Sequence, residues 1–154
     1  HEIKGIVGQT LIGEVEEEDQ QRNTDLIVLK LEAVRIACRI RRNSYFQNNE
    51  YKQQFTIRTK RHSGAETELS KVLSGWGDYI FYGFSDESEE SIVAWIIGDL
   101  AQFRIWFVRY ITTHQGKYPG LVKTNGDGSS DFIAFNLSEL PERFIVNRNT
   151  VLQP

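Results

Sequence analysis

Tyr79 to Phe84 (YIFYGF), the acidic turn from Ser85 to Ser91, and Ile92 to Ile97 (IVAWII) form the stretch that decides the fold class. Two nearly continuous apolar runs joined by an Asp/Ser/Glu turn predict two buried strands, because a strand covered on both faces carries apolar side chains at every position. Their aromatic residues, Tyr79, Phe81, Tyr82, Phe84 and Trp95, read as core packing rather than as stacking platforms. Ahead of this pair, Thr67 to Trp76 reads as a helix with Leu69, Val72, Leu73 and Trp76 as its apolar stripe. Glu66 or Thr67 starts it, and Gly75 and Gly77 end it. Behind the pair, Leu100 to Ile111 places Leu100, Phe103, Phe107 and Ile111 on one helical face, with Asp99 as its cap. Residues 112 to 130 are polar and Gly-rich, as an exposed loop would be. Phe132 to Leu137 is a last strand, and Leu140-Pro141 opens a short terminal element ending at Phe144 to Val146.

Towards the N-terminus, Phe55 to Arg61 (FTIRTKR) alternates, which puts Arg58 and Lys60 on one polar side. Residues 43 to 54 are Asn/Gln-rich and read as a loop. Val34 to Arg41 (VRIACRIR) also alternates. Val34, Ile36, Cys38 and Ile40 should face one way, and Arg35, Ala37, Arg39 and Arg41 the other. Leu26 to Leu31 (LIVLKL) reads as a further buried strand. Ile3 to Glu18 carries helical spacing interrupted by Gly5, Gly8 and Gly13. The order is helix, three strands, helix, two strands, helix, strand. It predicts an α/β (α+β) chain with a central mixed sheet flanked by helices, in one domain spanning residues 1–154.

Composition narrows the function. Hydrophobic residues at 40% supply a core, and a charged fraction of 25% is that of a globular protein. With a formal net charge of −3, the chain as a whole is not a polybasic nucleic-acid binder. Charge is segregated, however. Glu14, Glu16, Glu17, Glu18 and Asp19 crowd one segment, while Arg35, Arg39, Arg41, Arg42, Arg58, Lys60 and Arg61 crowd another. A local basic face attracts phosphate even in an acidic protein; its plain alternative is a solvated strand face. Cys38 is the only cysteine, so no intramolecular disulfide forms, and its apolar neighbours suggest a buried, inert thiol in a reducing, intracellular setting. No apolar run approaches the length of a membrane span. The sequence contains no phosphate loop, dinucleotide fingerprint, zinc set or G-x-S-x-G serine motif.

What remains is a pattern of spacing. Asp25 stands at the entrance to one strand, and Arg39-Ile40-Arg41 projects two side chains from one face of the next. With the order of elements, this resembles the restriction-endonuclease-like, or PD-(D/E)xK, nuclease superfamily, with a degenerate motif. The resemblance implies a restriction-endonuclease-like core over about residues 3–111, with a C-terminal strand extension. It implies a metal-dependent nuclease that hydrolyses phosphodiester bonds, most often in DNA, as an endonuclease using Mg²⁺ (or Mn²⁺). Asp25 would be the leading metal-binding aspartate. Arg39 falls where the second acid belongs and Arg41 where the lysine belongs. An arginine cannot ligate a metal, so the second carboxylate must come from elsewhere. Glu68, on the helix after the strands, is the candidate, with Lys71 three residues on; Glu14 is another.

The resemblance thus implies Asp25, Arg41, Glu68 and Lys71 as catalytic residues, with Asp25 and Glu68 on the metal. Arg39, Arg58, Lys60 and Arg61 would contact nucleic acid through phosphate, which positions without specifying sequence. The alternative is a catalytically inactive nucleic-acid-binding or protein-interaction domain of the same fold, to which Arg39 itself points. A homodimer is compatible with either, with Trp106 at the contact or buried within the chain.

Overall fold

The apolar runs that open the sequence argument become two neighbouring strands in the computed structural model, which describes residues 2–6 and 34–149. The chain falls into two units, His1–Val34 and Arg35–Pro154. Residues 2–6 of the first are helical (α1). The expected strand at Leu26 to Leu31, Asp25 and Glu14 lie outside the described residues.

The second unit is mixed α+β. Its elements are β1 (Ile36–Arg41), α2 (Asn43–Phe46), β2 (Gln54–Arg61), α3 (Glu68–Leu73), β3 (Tyr79–Ser85), β4 (Ile92–Asp99), α4 (Leu100–Thr113), β5 (Leu121–Thr124), β6 (Ser130–Asn136) and β7 (Ile145–Arg148), with short 3-10 turns between some of them. Among the described residues, seven strands divide into two sheets. One is mixed, ordered β1-β3-β4-β7, with β1 parallel to β3 and the other pairs antiparallel. The other is antiparallel, ordered β2-β6-β5. The C-terminal strands take part in both sheets. β6 is the central strand of the second sheet, and β7 closes the first.

The core lies where α4 and the two sheets meet. Phe55, Tyr82, Phe103, Phe107, Phe135 and Phe144 are all essentially unexposed. Phe55 packs against Tyr82, Phe103 and Phe144 with ring centroids 5.1, 5.9 and 5.2 Å apart. Burying each such side chain contributes about 1.5–3 kcal/mol. Leu100, Phe103 and Phe107 form the buried face of α4 as their spacing predicts, and the Asp99 carboxylate caps it by accepting from the N–H groups of Ala101 and Gln102 at 2.7 and 3.0 Å. The Trp106 ring packs within the chain, 5.8 Å from both Phe103 and Phe135.

Four expectations are corrected by the structure. Residues 43–54 are not simply loop: they hold α2 and a 3-10 turn. Residues 112–130 contain β5, which gave no periodic signal because Leu121 and Val122 are both exposed on an edge strand. Trp76 does not extend the stripe of α3. That helix ends at Leu73, where the N–H of Trp76 donates to the Lys71 carbonyl at 3.0 Å and that of Gly75 to the Val72 carbonyl at 3.1 Å. This is a left-handed helix stop built on Gly75 at φ 86°, and it throws the next residue off the helix, leaving Trp76 65% exposed.

The fourth correction concerns Cys38 on β1, expected to be buried but exposed. The β1 register sets Arg39 beside Tyr82 and Arg41 beside Phe84, so the arginines share the face of the sheet that carries the core. Ile36, Cys38 and Ile40 take the other face, and Cys38 and Ile40 are exposed. β1 borders the sheet among the described residues, so its long cationic side chains reach past the core margin into solvent, as amphipathic side chains do.

Candidate nucleic-acid interface

Arg39 and Arg41 leave β1 on one face, two residues apart, and reach different partners. The Arg39 guanidinium donates to Glu68 on α3 through a short contact between Nη1 and Oε2. The Arg41 guanidinium lies 3.8 Å above the Tyr45 ring of α2 and donates weakly to the Tyr82 hydroxyl at 3.4 Å. That hydroxyl also bonds the Thr56 hydroxyl at 3.2 Å, which ties β1, β2 and β3 together. Arg41 has no ion-pair partner among the described residues.

Arg39, Arg41, Tyr45 and Thr56 line a polar cleft of about 360 Å³ with Ile40, Arg42, Ser44, Asn125 and Phe132. Its walls are formed by three arginines, three hydroxyl-bearing residues and an asparagine, with no acidic residue among them. Arg42 pairs with Glu89 at 3.4 Å, but both side chains are largely solvated and the pair is correspondingly weak.

A second cationic cleft, of about 380 Å³, is lined by Arg58, Arg61, His62, Ser63, Ser129 and Ser130. It meets the first through the Asn125 amide, which donates to the Ser130 hydroxyl at 2.7 Å. Here the structure regroups the expected residues. The β2–β6 register shifts between Arg58 and Lys60, so Arg58 opposes Phe132 while Lys60 opposes Asp131 and Arg61 opposes Ser130. The extra residue reverses the alternation: Arg58 and Arg61 come together, and Lys60 turns to the opposite face. The Nε–H of Arg61 is buried without a hydrogen-bond partner.

Glu68 sits between the two clefts. Besides Arg39, its Oε2 accepts the backbone N–H of Arg58 at 3.1 Å, and its Oε1 lies 4.0 Å from the Arg58 guanidinium. As the first residue of α3, it also faces the positive end of the helix. Its carboxylate is thus surrounded by arginine donors. A hard divalent cation needs several oxygen ligands, and among the described residues no group of three or more His, Cys, Asp or Glu side chains is placed to hold a metal. The described residues do not fit a Mg²⁺ or Mn²⁺ site, and Asp25 and Glu14 lie outside them.

Lys71 is not at the polar cleft. It lines a largely apolar one of about 370 Å³ whose wall includes the Arg39–Glu68 pair itself, with Ala37, Ile57, Val72, Trp76 and Ile80. Arg35 closes one end. It clamps Asp78 through its backbone N–H at 2.8 Å and its guanidinium at 3.2 Å, and those guanidinium hydrogen bonds hold the Asp78 carboxyl below its ordinary pKa. Arg35, Arg42, Tyr45 and Trp76 are residues that sequence reasoning did not single out for the site. The basic crowding of residues 35–42 signalled the arginines. Tyr45 sat in a segment read as loop, and Trp76 at the end of a helix, as part of its apolar stripe.

No helix among the described residues is long and apolar enough to cross a membrane. Comparison with family models, with curated proteins and with solved structures finds no match for this chain.

Proposed function

We propose that this protein binds nucleic acid through its phosphate backbone. The observation that carries the reading is the polar cleft, which Arg39, Arg41 and Arg42 line with hydroxyl and amide residues, and in which Arg41 has no carboxylate partner among the described residues. Guanidinium forks and hydroxyls are the donors that phosphate oxygens accept from best. The Arg58–Arg61 cleft extends the cationic track. Contacts of this kind hold a backbone in place and leave sequence unread. DNA is the substrate that the family resemblance favours.

The test is fluorescence anisotropy with labelled oligonucleotides over a salt series. Binding through phosphates weakens as log affinity against log salt, with a slope of roughly −0.7 per neutralised phosphate for single strands. Affinity that does not respond to salt would exclude this reading.

A second reading, a metal-dependent endonuclease, has one observation in its favour. Glu68, the acid expected from the helix, stands directly beside β1, where the resembling family keeps its own acid. It rests on Asp25 and is decided separately, by plasmid cleavage with Mg²⁺, with Mn²⁺ and with chelator, beside Asp25→Ala and Glu68→Gln. Metal-dependent cutting lost in both variants would establish it. Intact plasmid in every lane, with binding retained, would leave the phosphate-binding domain.

A further inference from the structure

The largely apolar cleft beside Arg39 shares a wall with the polar cleft. Arg39 lines both. Its floor is Ala37, Ile57, Val72 and Ile80, and Trp76 stands at its edge with 65% of its surface exposed. An indole left this exposed costs apolar hydration, and two glycines hold it there. Gly75 stops α3 at φ 86°. Gly77, at φ 81°, passes so close to Leu100 that a Cβ would meet the Leu100 Cδ1 at 2.9 Å. Lys71 adds a cation at the rim, with no ion-pair partner among the described residues. The cleft volume, about 370 Å³, is that of a small-ligand site.

We propose that this cleft takes an unpaired nucleobase, so that the protein prefers single-stranded over duplex nucleic acid. This rests on the phosphate-binding reading and names the substrate class for it. A nucleic-acid strand alternates anionic phosphate with flat apolar base. Here a cationic cleft and an apolar cleft with an exposed indole lie on either side of one arginine, which matches that alternation. A duplex hides the π-faces of its bases in the stack, so only an unpaired base can lie against Trp76.

The experiment compares three ligands of equal length by anisotropy: a single strand, its duplex, and a strand with abasic sites. Each is measured with wild type and with Trp76→Ala. Trp76 is exposed, so its truncation leaves the fold intact, which thermal unfolding checks. The single strand should bind at least about tenfold tighter than either other ligand. Trp76→Ala should weaken single-strand binding by about 5- to 150-fold, the range for one base–aromatic stack, and leave duplex binding and the salt slope unchanged. Equal affinity for strand and duplex, with Trp76→Ala silent, overturns the base pocket while the phosphate reading stands. A silent Trp76→Ala accompanied by competition from an uncharged apolar peptide would assign the cleft to a protein partner instead. Loss of all polyanion binding in wild type would overturn both.

Discussion

The polar and apolar clefts are built from the same strand and differ in almost everything else. Arg39 and its partner Glu68 divide them. On one side, Arg41, Arg42, Ser44, Tyr45, Thr56 and Asn125 line a cationic space; on the other, Ala37, Ile57, Val72, Trp76 and Ile80 line an apolar one. The difference teaches that a border strand can serve two chemistries at once. Residues of β1 two apart share a face, but each meets a different neighbour beyond the edge of the core: α2 at one end, α3 and the Gly-Trp-Gly segment at the other.

The strongest way to break this contrast is to remove charge from one side only. Arg41→Ala combined with Arg42→Ala should lower oligonucleotide affinity roughly 10- to 100-fold at low salt, from two lost, solvent-screened contacts of about 0.7–1.4 kcal/mol each. It should also flatten the salt slope by about 1.4. If Trp76→Ala flattens the slope equally, the clefts are not distinct.

Gly77→Ala acts on the apolar side through the backbone. A Cβ at φ 81° and 2.9 Å from Leu100 costs about 1–3 kcal/mol, read as a lowered Tm. The single-strand preference should shrink with it, while duplex binding persists.

Glu68→Gln tests the divider. Its pair with Arg39 is only part-buried, so solvent screening limits the loss of stability to about 0.5–1 kcal/mol. Nucleic-acid affinity should equal or exceed that of wild type, because an anion has left the track. A large drop in affinity would show that Glu68 orients the arginines rather than merely dividing the clefts.

The Arg35–Asp78 clamp sharpens the comparison by pH. The Asp78 pKa is depressed, first by the Arg35 guanidinium and then by its backbone N–H. Its stabilising contribution is therefore complete above the ordinary aspartate range and disappears as pH falls through the depressed value. Asp78→Asn should melt lower than wild type at neutral pH, with the gap closing in acid; a gap constant across pH would refute the linkage. The smallest effect concerns Cys38, exposed but with a thiol pKa pushed up by partial burial. The native protein should alkylate without unfolding, slowly at neutral pH and faster as pH rises.

Much of the fold was legible because periodicity reports burial. The strands at Tyr79 and Ile92, the α4 stripe and the Asp99 cap follow directly from residue order. β5 was not legible, because an exposed edge strand has no face to alternate.

The sequence alone determined the mixed α+β class, the buried aromatic core, the crowding of arginines between residues 35 and 61, and the Gly signals that end α3. Only the tertiary structure decided where those arginines lie. The register of β1 against β3 turned its charged face towards the core margin. A bulge in β2 joined Arg58 to Arg61 instead of Lys60, and a helix stop one turn early turned Trp76 from core residue into cleft wall. The physical reason is common to all three. Local pattern specifies which residues share a face, but which neighbour that face meets depends on pairing with segments far along the chain.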